Sequence, residues 1–154
     1  MRYIESPETF VGKPEKSGFV VESLFLAGGI TGCENWQLKM KEYLSNVPIV
    51  LFNPRQKDFP IDDPNAAQAQ IAWEHEYLKK ASMILFWFPP ETLCPIVLYE
   101  LGAWSMTQKK IFVGVHPLYK RKQDVEIQTK LARPEIEIVY DLGELSEQVI
   151  AECR

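Results

Sequence analysis

Cysteine is sparse in this chain of 154 residues: Cys33, Cys94 and Cys153 are odd in number and far apart, and no C-x-x-C pair occurs. Neither a disulfide framework nor a zinc site is suggested, and a reducing cytoplasm is the expected setting. Histidine is scarcer still. His75 and His116 are the only two, and the run W-E-H-E-Y lacks the H-E-x-x-H register of a helical metal site, so no metal is expected. Positive charge is not in excess. With 17 Lys and Arg against 21 Asp and Glu the net charge is -4, which offers no polybasic surface to a nucleic acid polymer. The longest apolar run, Met83 to Phe88, is far short of a membrane span, and no apolar stretch follows a basic start. Neither membrane association nor export is expected.

What is present is the make-up of a globular domain: 46% hydrophobic and 25% charged residues, over a length that buries a substantial core. Residues 1–18 carry Pro7, Gly12, Pro14 and Gly18 among charged side chains and read as an N-terminal arm with a short edge strand. Residues 19–154 read as one domain in which strands and helices alternate. Phe19 to Ala27, Val47 to Phe52 and Met83 to Phe88 are buried strands, Ile111 to Val115 is a fourth, and Glu135 to Tyr140 alternates as a fifth. Between them lie helices. Trp36, Met40, Tyr43 and Val47 recur at helical spacing, Asp63 and Pro64 cap a helix running to Ala81, and Pro95 suits the first turn of another. A helix follows Lys120 to Lys122 as far as Ala132, and Glu144 to Glu152 closes the chain. This order predicts a doubly wound α/β sandwich with a mainly parallel five-stranded sheet in the order 2-1-3-4-5. Ligands of such sheets bind outside the carboxyl ends of the strands, where Gly28, Gly29, Asn53, Arg55, Phe88 and His116 would collect.

Two acids are out of place. Leu93, Ile96, Val97, Leu101 and Trp104 fall on one helical face with Glu100 in its middle; Ala67, Ile71, Leu78 and Ala81 do the same around Glu74. A buried carboxylate is costly unless it is paired, hydrogen-bonded or beside a cavity. For either acid alone, a structural partner such as a tyrosine or a helix N-terminus is an ordinary explanation. Two such acids at one crevice point to chemistry: a carboxylate held against an anomeric carbon both attacks it and stabilises an oxocarbenium-like transition state, without metal or cofactor. Other signals are weaker. L-A-G-G-I-T-G, Leu26 to Gly32, is neither a P-loop nor G-x-G-x-x-G, and is either a backbone approach to a ligand or a turn needing positive φ. Arg55 either grips a phosphate or ribosyl hydroxyl or, as is more usual, is simply solvated; the same holds for Asp58 in a turn-rich loop over the crevice, and the four tryptophans suit core, base stacking or a subunit interface.

Taken together, F-L-A-G-G-I-T-G, N-P-R with D-F-P, W-E, I-L-F-W-F-P and Y-E-L-G resemble the nucleoside 2-deoxyribosyltransferase family in its short bacterial and phage-type branch, over Ser23 to Val115. The resemblance implies a flavodoxin-like three-layer α/β/α fold, cleavage of the N-glycosidic bond of a 2'-deoxynucleoside or its monophosphate, and a homo-oligomer. It implies a nucleophile at Glu100, a base-contacting acid at Glu74, and a ligand turn at Gly28, Gly29 and Ile30, with Asn53, Arg55, Asp58 and Phe88 as further substrate contacts. The expected partners are a nucleoside or nucleotide and a free nucleobase. Cys94 stands where the family has an aspartate, six residues before the nucleophile, which leaves base exchange and hydrolysis both open. The alternative reading is a non-catalytic nucleotide-binding or sensor module on the same fold.

Overall fold

Six strands pair side by side in the computed structural model, which describes residues 1–11 and 22–154. They are β1 (Arg2–Glu5), β2 (Glu22–Gly28), β3 (Ile49–Asn53), β4 (Met83–Phe88), β5 (Lys110–Val115) and β6 (Ile138–Val139), in the order β1-β3-β2-β4-β5-β6. Every pairing among them is parallel. Leaving out β1, the order is the expected 2-1-3-4-5; β1 adds the edge strand foreseen for the arm. Residues 19–21 of the expected first strand, and Gly12, Pro14 and Gly18 of the arm, lie outside the described residues. Of the expected strand from Glu135 to Tyr140, the ladder with β5 holds Ile138 and Val139 alone.

The helices are α1 (Trp36–Tyr43), α2 (Ala66–Lys80), α3 (Pro95–Ser105), α4 (Lys122–Ala132) and α5 (Leu142–Glu152). They cover both faces of the sheet. Trp36, Met40, Leu145 and Val149 of α1 and α5 join one buried cluster, and Trp73, Tyr77, Val97, Leu101 and Val125 of α2, α3 and α4 join the other. The result is a three-layer, flavodoxin-like α/β/α sandwich, and the central strand β4 is buried at all six positions because it is covered on both faces and paired on both edges. Helix starts follow local chemistry: Asn35 accepts a hydrogen bond from the Leu38 amide, Asp141 from the Glu144 amide, and Pro95 occupies the first turn of α3. Lys109 reaches back to the last turn of α2 and donates to the carbonyls of Leu78, Lys79 and Ala81, satisfying groups that a helix end leaves open.

Two helical faces are phased differently from the sequence pattern. On α2 the buried residues are Ala66, Trp73, Tyr77 and Leu78, while Ala67 and Ile71 face solvent. The Trp73 and Tyr77 rings, 4.3 Å apart, pack on Phe25 and Phe52 of the sheet, and this aromatic contact sets the rotation of the helix. On α3 Val97 and Leu101 are buried, but Ile96, and Leu93 just ahead of the helix, are exposed, so Glu100 lies at the margin of the buried arc and not at its centre. On α1, Leu44 and not Tyr43 enters the core. Trp36, Trp73 and Trp87 are core residues and Trp104 packs against the core, whereas Ile71, Ile96 and Tyr99 are among the exposed apolar residues.

The arm is stitched to the α2 side of the sheet. The Trp73 indole donates to the Glu8 carbonyl at 2.9 Å, the Phe10 amide donates to the Tyr77 hydroxyl at 2.7 Å, and the Phe10 ring meets Phe52 edge-on.

Candidate active site

Parallel pairing brings the carboxyl ends of β2, β3, β4 and β5 to one edge, and α2 and α3 descend from that edge on the same face of the sheet. Each of these two helices carries one of the acids picked out in the sequence. Both carboxyls are half-buried, and neither joins an ion pair among the described residues. Burial, and after it the negative charge of Glu74 on the neighbouring helix, raise Glu100 to about 7, so Glu74 is near enough to oppose the ionisation of Glu100. Burial raises Glu74 as well. A hydrogen bond from Gln70 Nε2 to Glu74 Oε1 at 2.7 Å pulls in the opposite direction by stabilising the anion.

The glycine turn sits at the mouth of the switch between β2 and β4. Neither Gly28 nor Gly29 has a positive φ; that conformation belongs to Gly32, at 75°. Gly28 is required by packing, since a Cβ there would lie 2.4 Å from the Trp36 ring and 2.6 Å from the Trp87 carbonyl oxygen. Gly29 lies against Pro89, Thr92 and Cys94, and its carbonyl accepts from the Trp36 indole at 2.8 Å and from Gln37 at 3.3 Å. Ile30 is half-buried beside it.

Several expected substrate contacts are occupied by the protein itself. Asn53 is buried, donates to the Tyr3 hydroxyl and the Arg55 carbonyl, and accepts from the Arg55 amide, an arrangement that turns the chain after β3. Arg55 does not reach outward for a phosphate: its guanidinium donates to the carbonyls of Glu34 and Cys33 and to the Gln37 side chain, tying the turn after β3 to the start of α1. Phe88 is fully buried against Tyr119 and cannot line the crevice. Asp58 is exposed on the loop before α2. A residue missed in the sequence is Gln70, one helical turn before Glu74; a polar residue at that spacing was the available signal.

Cys94 caps α3 with φ 47°, the left-handed region that residues with a β-carbon rarely adopt. Its thiol, buried beside Gly29, is pushed up to about 11, mainly by burial, and is therefore neutral at physiological pH. Among the described residues no three His, Cys, Asp or Glu side chains gather to hold a metal ion, and no helix is long and apolar enough to cross a membrane. A separate cavity of about 340 Å³ opens at the opposite edge of the sheet, where Lys110 and Arg133 are already paired with Glu152 and Glu135.

Fold and site together define a flavodoxin-like α/β domain with a carboxyl pair beside the carboxyl edge of its sheet. The chain belongs to the nucleoside 2-deoxyribosyltransferase-like family, whose model matches residues 21–119, and its family-level activity is accordingly of the nucleoside deoxyribosyltransferase type. No curated protein matches the chain.

Proposed function

We propose that the protein cleaves the N-glycosidic bond of a 2'-deoxynucleoside or its monophosphate, with Glu100 as nucleophile and Glu74 holding the nucleobase. One observation carries the reading: two half-buried carboxyls stand on neighbouring helices, the charge of Glu74 opposes the ionisation of Glu100, and no cation pairs with either among the described residues. A structural acid in that position is ordinarily paired, whereas a substrate with a carbon that becomes positive supplies the missing charge. The Glu100 carboxylate would form a bond to C1' as the C1'–N bond breaks, and the base would leave with the bonding electrons. Attack by a second base or by water on the ester would then finish with retention. The turn at Gly29 and Ile30 would supply backbone contacts to the sugar, and Asp58 on the exposed loop before α2 would be a further contact. The exposed Ile96 and Tyr99 of α3 are the area that a second copy of the chain would cover.

The test is incubation with each deoxynucleoside and deoxynucleoside monophosphate, with and without an acceptor base, followed by chromatography for free base. Glu100→Gln and Glu100→Ala should abolish release while the far-UV spectrum is kept. Release at the wild-type rate from both variants sinks the proposal. The second reading, a binding module without turnover, draws on Cys94: a neutral thiol replaces the family's aspartate, and a group pushed up to about 11 is a poor proton donor to a leaving base. Saturable binding with no free base would decide for it.

A further inference from the structure

The eleven described residues of the arm lie ahead of the segment that matches the family, yet they reach the support of Glu74. Ser6, on the turn after β1, is buried, and its hydroxyl donates to Gln70 Oε1 at 2.7 Å while accepting from Gln56 Nε2 at 3.2 Å. Gln56 Nε2 also donates to Gln70 Oε1. On its other side Gln70 Nε2 donates to the Pro54 carbonyl and to Glu74 Oε1, both at 2.7 Å. Every polar atom of the Gln70 amide is thus in use. Its orientation is also determined: turned over, the amide would set its N–H groups against those of Gln56 and its oxygen against a carbonyl and a carboxylate.

We infer that the arm is a working part of the site: Ser6 and Gln56 fix the Gln70 amide so that one N–H is held on the Pro54 carbonyl and the other on Glu74, making Ser6 and Gln70 positioning residues for that carboxylate. The inference rests on the proposal that Glu74 meets the substrate. The same arm also grips the loop that carries Gln56, since the Ser6 amide donates to the Asn53 carbonyl and the Lys57 amide donates to Glu5. Three segments distant in sequence, the arm, the turn after β3 and α2, therefore set the position of one carboxyl. The titratable group facing Glu74 from the neighbouring helix is Glu100, while His75 and Glu76 on its own helix are exposed.

Gln70→Met keeps the length of the side chain and removes both donors; Ser6→Ala removes the hydroxyl that orients them. With deoxynucleoside as substrate, Gln70→Met should raise KM about tenfold, Ser6→Ala should raise it severalfold, and Ser6→Thr should restore it, in the range expected when a hydrogen bond to a charged group is lost. In a Glu74→Gln background Gln70→Met should add almost nothing, because the carboxylate it positions is gone; additive effects would indicate a merely structural role and overturn the inference. A second readout needs no turnover: the carbon-13 carboxyl titration of Glu74 should move to higher pH in Gln70→Met, and in the same direction by less in Ser6→Ala. An unmoved midpoint in both folded variants refutes the positioning role even if the protein proves to release base, and a moved midpoint upholds it even if no base is released.

Discussion

Replacing Glu100 by glutamine keeps the shape of the side chain and removes its charge, so the variant should gain stability as it loses activity. The carboxyl, ordinarily near 4.5, is raised to about 7 by burial and by Glu74. In an unfolded chain the group ionises near its ordinary value, so between about pH 4.5 and 7 the folded state holds a proton that the unfolded state has released. Stability attributable to Glu100 is therefore whole below pH 4.5, falls as pH rises and is lost above about pH 7. At about 1.4 kcal/mol per pH unit, the ionised carboxylate costs the native state about 3 kcal/mol at pH 8. A glutamine escapes that cost. Thermal melts followed by circular dichroism should show wild type and Glu100→Gln close together at pH 5 and separated by up to about 10 °C at pH 8, given roughly 2–4 °C per kcal/mol for a domain of this size. A difference in Tm that stays the same at both pH values would refute the claim that Glu100 is held out of water beside a second acid.

Other outcomes follow from the same contacts. If Glu100 attacks as the anion, the rate of base release should rise with pH through a midpoint near 7, and Glu74→Gln should lower that midpoint because the charge that raises Glu100 is gone; kcat/KM against pH reads both. Gly28→Ala places a methyl 2.4 Å from the Trp36 ring and 2.6 Å from a backbone oxygen, so denaturant unfolding should show a loss of about 3 kcal/mol. Cys94→Asp puts a residue more tolerant of φ 47° at the start of α3, where negative charge is favoured, and supplies the acid that the thiol cannot. The ratio of base exchange to hydrolysis should rise severalfold, measured with a labelled acceptor base. Tyr77→Phe removes the acceptor of the Phe10 amide, and hydrogen exchange at that amide should lose its protection while the sheet keeps its own.

Much of the architecture was legible along the chain because it depends on neighbours in sequence. The all-apolar M-I-L-F-W-F marked a strand covered on both faces, Pro95 marked the start of α3, and the alternation of strands with helices was enough for the parallel order. Glu74 and Glu100 were visible as acids amid apolar neighbours for the same reason. Tertiary structure decided what they face and how they are held. The rotation of α2 depends on Trp73 and Tyr77 meeting Phe25 and Phe52, a contact that no helical period contains, and so Ala67 and Ile71 turned outward. Arg55 looked like a ligand grip but clasps carbonyls 21 and 22 positions away, because an arginine fork takes whichever oxygens the fold brings within reach. The bond from Ser6 to Gln70 spans 64 residues and leaves no trace in either local sequence. Local pattern determined which residues are apolar, extended or helical, whereas the partners of a polar side chain were settled only when the sheet closed and distant segments became neighbours, since a hydrogen bond depends on distance and direction in space and not on order along the chain.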